Sequence, residues 1–237
     1  MPVPEHVYLT AAAAVWGILA GGFLLPRPAH RLAVEPDEPW RDRDPDGRPF
    51  PAGPRGWAGR GPGAVTLAVL CGAAGAALAL RVGARPELAV WLLLVPAGVL
   101  MARVDLAVFR LPDVLTLPAG AAVVVLLGAC ALLPRAAGSW TRALLGGAAL
   151  FGFYFLLHFI NPAGMGFGDV KLAPAVGMAL GWYGWRAVFV GTFAGFALGA
   201  AVALGLMALR RIDRRTAVPF GPFMLLGALG GVLLTAG

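Results

Sequence analysis

Apolar runs about as long as a lipid bilayer is thick recur along the whole chain, and no other feature restricts its fold so severely. They occupy roughly 7–25, 63–80, 87–109, 114–133, 143–160, 172–185, 187–209 and 218–236. A helix needs about 20 such residues to cross the hydrocarbon core, and inside lipid the backbone must satisfy its own hydrogen bonds. The runs therefore predict an all-α, polytopic integral membrane protein with about eight transmembrane helices. The sixth run, 172–185, is the shortest, and its length also suits a re-entrant or interfacial piece.

Charge tests that count, because Lys and Arg are retained on the cytoplasmic side. With the N-terminus outside, fourteen of the 19 basic residues fall on the cytoplasmic side. They include Arg103, Arg110, Lys171 and the turn "RRIDRR" at 210–215; Arg81, Arg85, Arg135, Arg142 and Arg186 fall outside. If the sixth run did not cross, the four-arginine turn would lie outside as well, so the bias favours a crossing. The same distribution bears on the formal charge of +7. These residues are scattered between apolar runs as a topology signal, with no basic groove interleaved with aromatics, so no nucleic-acid partner is expected. The partner that the runs imply is the bilayer itself.

Cys71 and Cys130 both sit inside predicted spans and far apart, giving neither a CxxC pair nor a metal-ligand cluster with His. No metal and no cofactor is expected. The first run lacks a preceding basic region and is long enough to span, so it reads as a retained helix rather than a cleaved signal peptide. The organisation predicted is a first helix plus cytoplasmic loop over 1–62 and a membrane-embedded domain over 63–237. The loop, 26–62, is rich in Pro, Gly, Arg and Asp, offers little for a core, and is expected to be mostly irregular. In the seventh run Gly191, Gly195, Gly199 and Ala203 recur every four residues and make one smooth face for close helix packing.

The topology places two carboxylates at the same membrane face: Asp105 near the cytoplasmic end of the third run, and Asp169 just before the sixth. An ionised Asp at mid-membrane costs roughly 2.5–3.5 kcal/mol, so such residues face protein or water and often act chemically. A purely structural reading pairs Asp105 with Arg103 or Arg110, and Asp169 with Lys171, and position alone does not separate the two readings. The stretch "GMGFGDVKL" at 164–172 does. Gly164, Gly166 and Gly168 alternate, each disfavouring helix by about 1 kcal/mol relative to Ala, and predict a loop that admits close approach with Asp169 at its end. Non-helical backbone at a membrane border is tolerated only where it is buried in protein or lines a wet cavity.

Two carboxylates facing one cavity can share a proton. The ionised one takes a proton from a water attacking a peptide carbonyl; the protonated one hydrogen-bonds that carbonyl and helps the amine leave. No Ser/His/Asp set competes, since His6, His30 and His158 are widely separated. His158 reads as an interfacial histidine, and Asp113, after Pro112, as the cap of the next helix. Lys171 is the one lysine in a chain that otherwise uses Arg, which marks it either as a point charge beside Asp169 or as a snorkelling anchor.

At these residues the chain resembles the type IV prepilin peptidases, membrane aspartic proteases with a GxGD motif. "GMGFGDVKL" resembles their GxGxGDxKL element, "RVDLAVFRLPDVLTLP" at 103–118 their aspartate followed by Pro-Asp and Leu-Thr-Leu-Pro, and "VPFGPFMLLGA" at 218–228 a C-terminal element. The resemblance implies catalytic roles for Asp105 and Asp169, with Gly164, Gly166, Gly168, Lys171 and Asp113 as substrate-binding or loop residues. It implies removal of the leader of pilin-like precursors at the cytoplasmic face of a bacterial inner membrane, after a glycine that precedes a hydrophobic helix. Larger family members carry two CxxC pairs in the first cytoplasmic loop, associated with methylating the new N-terminus. Here "GGFLLPRPAHRLA" at 21–33 resembles the entry to that loop, but 26–62 holds no cysteine. A small ion-coupled transporter or channel using paired aspartates is the alternative. Oligomeric state is not legible.

Overall fold

The computed structural model describes residues 5–35, 38–162, 164–213, 216 and 218–236. The described residues form helices and connecting segments without strands, and the chain divides into two compact units, Met1–Val108 and Phe109–Gly237.

In the first unit, α1 (Glu5–Leu19) continues through a π-helical turn (Ala20–Leu24) into the short α2 (Pro26–Arg31). The helices α3 (Ala64–Val82) and α4 (Pro86–Val108) follow, with α3 packed against both α1 and α4. Proline opens α2 and α4, where its fixed φ suits helix entry and its missing N–H costs nothing. Pro96 is different, since inside α4 it cannot donate to the carbonyl of Leu92. The indole N–H of Trp16 on α1 donates to that carbonyl at 3.0 Å, which satisfies the group and ties the two helices together.

Among the described residues between α2 and α3 the regular structure is a 3-10 turn at Gly53–Gly56, yet this segment has a definite centre. The Arg31 guanidinium lies 4.3 Å from the Trp57 ring centroid and 5.3 Å from that of Phe50, a half-buried cation–π cluster. Asp44 builds the turn opposite: its Oδ1 accepts from the backbone N–H groups of Asp46 and Arg48, and an isolated bridge pairs Arg43 with Pro49. Stacked arginine thus supplies what a small apolar core would.

The second unit contains α5 (Asp113–Cys130), α6 (Trp140–Ile160), α7 (Phe167–Tyr183), α8 (Trp185–Ala208) and α9 (Gly221–Thr235). Ser139 caps α6, its Oγ accepting from Arg142 N–H, while its own N–H donates to the Trp182 carbonyl near the end of α7. The start of α6 therefore lies beside the end of α7, and the two run antiparallel. At Gly184 the backbone adopts φ 120°, a glycine conformation that lets α8 begin almost at once. Helix α7 packs against α5, α6, α8 and α9 and is buried along most of its length. Being walled by protein, it tolerates Asp169, Lys171 and Pro174 where a lipid-facing helix would not. Phe189 and Phe193 on α8, by contrast, are exposed, as lipid-facing side chains are.

Among the described residues six helices are long and apolar enough to cross a membrane: Glu5–Leu24, α3, α4, α5, α6 and α8. α7 has 17 residues and α9 has 15, so these two are shorter than the six. α7 also begins earlier than the apolar run 172–185 suggested, because its first turn is built from the polar and glycine-rich part of the motif.

Candidate active site

Asp169 is the third residue of α7. Gly166 takes the N-cap position in an extended conformation (φ −63°, ψ 138°), and Phe167, Gly168 and Asp169 form the first turn. The glycine loop expected to run up to Asp169 therefore ends at Gly166. Gly168 is helical, and its lack of a side chain serves packing rather than looping: a β-carbon there would stand 2.9 Å from Leu111 Cβ. The segment entering α5 thereby lies directly against the turn that carries the acid. Asp169 is 6 % exposed, and its Oδ2 folds back over the N-cap, where a β-carbon on Gly166 would be 3.1 Å away. A carboxylate in a first turn is favoured by the helix dipole and by the unsatisfied N–H groups there.

Lys171 and Asp113 meet. The Lys171 ammonium donates to both carboxylate oxygens of Asp113, at 2.6 and 2.9 Å, which joins α7 to the start of α5. Asp113 is not the cap of α5; Pro112 occupies that position and makes no side-chain cap, leaving Asp113 as the first helical residue. Lys171 also lies 5.1 Å from the centroid of the Phe167 ring. Side-chain exposures of 30 % for Lys171 and 57 % for Asp113 put the pair in the class worth about 0–1 kcal/mol. Lys171→Met and Asp113→Asn should each lower stability by less than about 1 kcal/mol, and a double-mutant cycle in thermal unfolding should return a coupling of similar size.

Tyr154, which carried no signal in the sequence, and His158, which reads there as an interfacial histidine, both lie about the turn into α7. Tyr154 on α6, 1 % exposed, lies within electrostatic reach of the Asp169 carboxylate; its ring packs on Phe196 and Phe220, with centroids 5.7 and 6.0 Å away. His158, also on α6, bonds through Nδ1 to the Met165 carbonyl at 2.8 Å, and its ring centre lies 5.4 Å from that of Phe167. Tyr154 reads in the sequence only as a member of an apolar run. Gly164 opens this same turn, its N–H donating to the Asn161 carbonyl at 3.0 Å.

Asp105 belongs to the first unit. It sits in the final turns of α4 beside Val104 and Met101, 5 % exposed, one of the few buried acids among the described residues. Glu87, in the first turn of the same helix, is fully buried as well.

Together these observations define a polytopic helical membrane protein with a buried carboxylate at the glycine-entered start of a protein-walled helix. Residues 88–209, just over half of the chain and a stretch that includes both Asp105 and Asp169, match the model of the type IV leader peptidase family. The chain belongs to that family. It is 34 % identical over 136 residues to the prepilin leader peptidase/N-methyltransferase of Aeromonas hydrophila, covering 56 % of this chain and 45 % of that protein. The protein of that name from Pseudomonas putida is 31 % identical over 159 residues, 66 % of this chain and 53 % of the relative. For its Bacillus subtilis counterpart the values are 33 % over 91 residues, 38 % and 36 %. The chain thus spans about half the length of the first two of these curated relatives, and less of the third. No solved structure matches it significantly.

Proposed function

We propose that this protein is an aspartic endopeptidase of the bacterial inner membrane that removes the N-terminal leader of type IV pilin-like precursors. The observation that carries the reading is the burial of two acids, Asp105 and Asp169, inside the one segment that matches the leader peptidase family. In the proposed reaction one carboxylate takes a proton from water as the oxygen attacks the scissile carbonyl. The other, protonated, hydrogen-bonds the developing oxyanion and then gives its proton to the leaving amine. The precursor's apolar helix docks laterally among the spans of 63–237, and its short basic leader stays at the cytoplasmic face. The N-terminus lies outside, which puts both acids on that face. Gly164 and Gly166 leave room beside Asp169 for an extended substrate strand.

N-methyl transfer, the second activity in the relatives' names, lacks the cysteines associated with it in this chain's 26–62 segment. The thiolate ligands of a zinc-type site are therefore missing there, and Arg31 stacking organises the segment instead. The transport reading finds no support among the relatives.

The test is co-expression with a pilin-like precursor that keeps its basic leader. A shift of the precursor to the mature mobility, with the cut mapped by mass spectrometry to the bond after the leader glycine, is the expected result. Uncut precursor, together with ion flux in proteoliposomes that needs Asp105 and Asp169, would establish transport in its place.

A further inference from the structure

We infer that His158 is a positioning residue for the Asp169 turn, a role that rests on the peptidase reading for its catalytic consequence but not for its structural one. The stretch between α6 and α7 contains Pro162, Gly164 and Gly166, and two glycines this close leave the backbone many conformations. Its last residue before the α7 cap, Met165, is nevertheless buried. The Met165 carbonyl is held at 2.8 Å by His158 Nδ1. A carbonyl oxygen only accepts, so Nδ1 carries the hydrogen of this bond. The same imidazole packs against Phe167, ring centres 5.4 Å apart at 50°.

One side chain therefore grips the residues on both sides of Gly166, the cap whose empty β-position faces Asp169 Oδ2. Phe167 in turn contacts Lys171, and Lys171 is bonded to Asp113. The Asp169 turn is thus fixed from α6 by a hydrogen bond to its entry and from α5 by an ion pair. The histidine bond holds the entry to that turn. Displacement of a catalytic group by about 1 Å can cost on the order of 100-fold in rate, so losing the bond should lower kcat far more than it alters KM.

The experiment compares three variants of the full-length protein in detergent. Asn carries an amide N–H at the same bond distance from Cβ as Nδ1, Gln carries it one atom further out, and Leu has none. For His158→Leu we expect kcat for precursor cleavage to fall about 10- to 100-fold with KM within about threefold, and hydrogen–deuterium exchange to rise across 161–168. His158→Asn should recover most of the rate and the protection, and His158→Gln little of either. Equal kcat for the Asn and Leu variants, or unchanged exchange in His158→Leu, would overturn the inference. If wild-type protein cuts no precursor, the peptidase reading fails, and the exchange arm alone decides the histidine's role.

Discussion

Asp169→Asn is expected to lower leader cleavage by about 100- to 10,000-fold, the range that a positioned acid or base contributes, while leaving the protein folded. Asn matches the shape of the carboxylate and can still occupy the space over the Gly166 cap, so packing at the start of α7 should survive. What it loses is the capacity to exchange a proton with water or with the departing amine. Asp105→Asn should cost a comparable factor for the same reason, since an amide neither takes a proton from water nor gives one to the departing amine. Combining them is more informative than either alone. Groups that act as one unit are strongly non-additive, so Asp105→Asn/Asp169→Asn should be about as slow as the slower single variant. A double variant slower by the product of the two single losses would show independent action and remove the shared-water mechanism. Proximity can be tested without turnover. In a Cys71→Ala/Cys130→Ala background, Asp105→Cys and Asp169→Cys should be joined by a short bifunctional thiol reagent, and failure to cross-link under conditions that label both would argue against the pairing.

Much of this was legible in the sequence because the responsible signals are local. Runs of apolar residues near the span length specify helices wherever lipid is the solvent, and six of the structure's helices meet that length and composition. The GxGD element is equally local, so Asp169 could be singled out before any fold was known. The limits of sequence reading follow from effects that are not local. Helix α7 starts at Phe167 rather than near Leu172, because Gly168 is retained for contact with Leu111, a residue distant in sequence, and not to break the helix. The order in 26–62 depends on Arg31 finding Phe50 and Trp57, which composition does not encode. Lys171 stood out as the chain's one lysine, but that its carboxylate partner is Asp113 emerges only when α5 packs beside α7. The partners of His158, itself legible as an interfacial histidine, and the whole role of Tyr154 were hidden for the same reason, being supplied by the turn into α7 and by α8.

The second large effect is expected far from any acid, at Gly177. A β-carbon there would overlap the Gly146 carbonyl oxygen, and one on Gly146 would come within 2.5 Å of the Gly177 carbonyl oxygen. The α6 and α7 backbones thus touch, and the next turn repeats the arrangement, with a β-carbon on Gly181 falling 2.5 Å from the Arg142 carbonyl oxygen. In lipid such contact is a principal source of helix association, since apolar burial gives little advantage over the lipid tails. Gly→Ala inside a helix ordinarily gains about 1 kcal/mol in propensity, whereas forcing a methyl group into a packed contact costs about 1–3 kcal/mol. At Gly177 the second effect should win, because the obstacle is backbone and cannot rotate away. The control lies on α6 itself: a β-carbon on Gly152 meets nothing within 4 Å, so Gly152→Ala should be neutral or stabilising. Thermal unfolding in detergent is expected to show Gly177→Ala below wild type and Gly152→Ala at or above it, with Gly177→Val lower still. Activity should fall with the Gly177 substitutions even well below the unfolding temperature, because prising α7 from α6 moves Asp169 away from the Tyr154 and His158 surroundings that α6 supplies. Equal stability of Gly177→Ala and Gly152→Ala would mean that the α6–α7 contact, and with it the placement of Asp169, is not made by glycine.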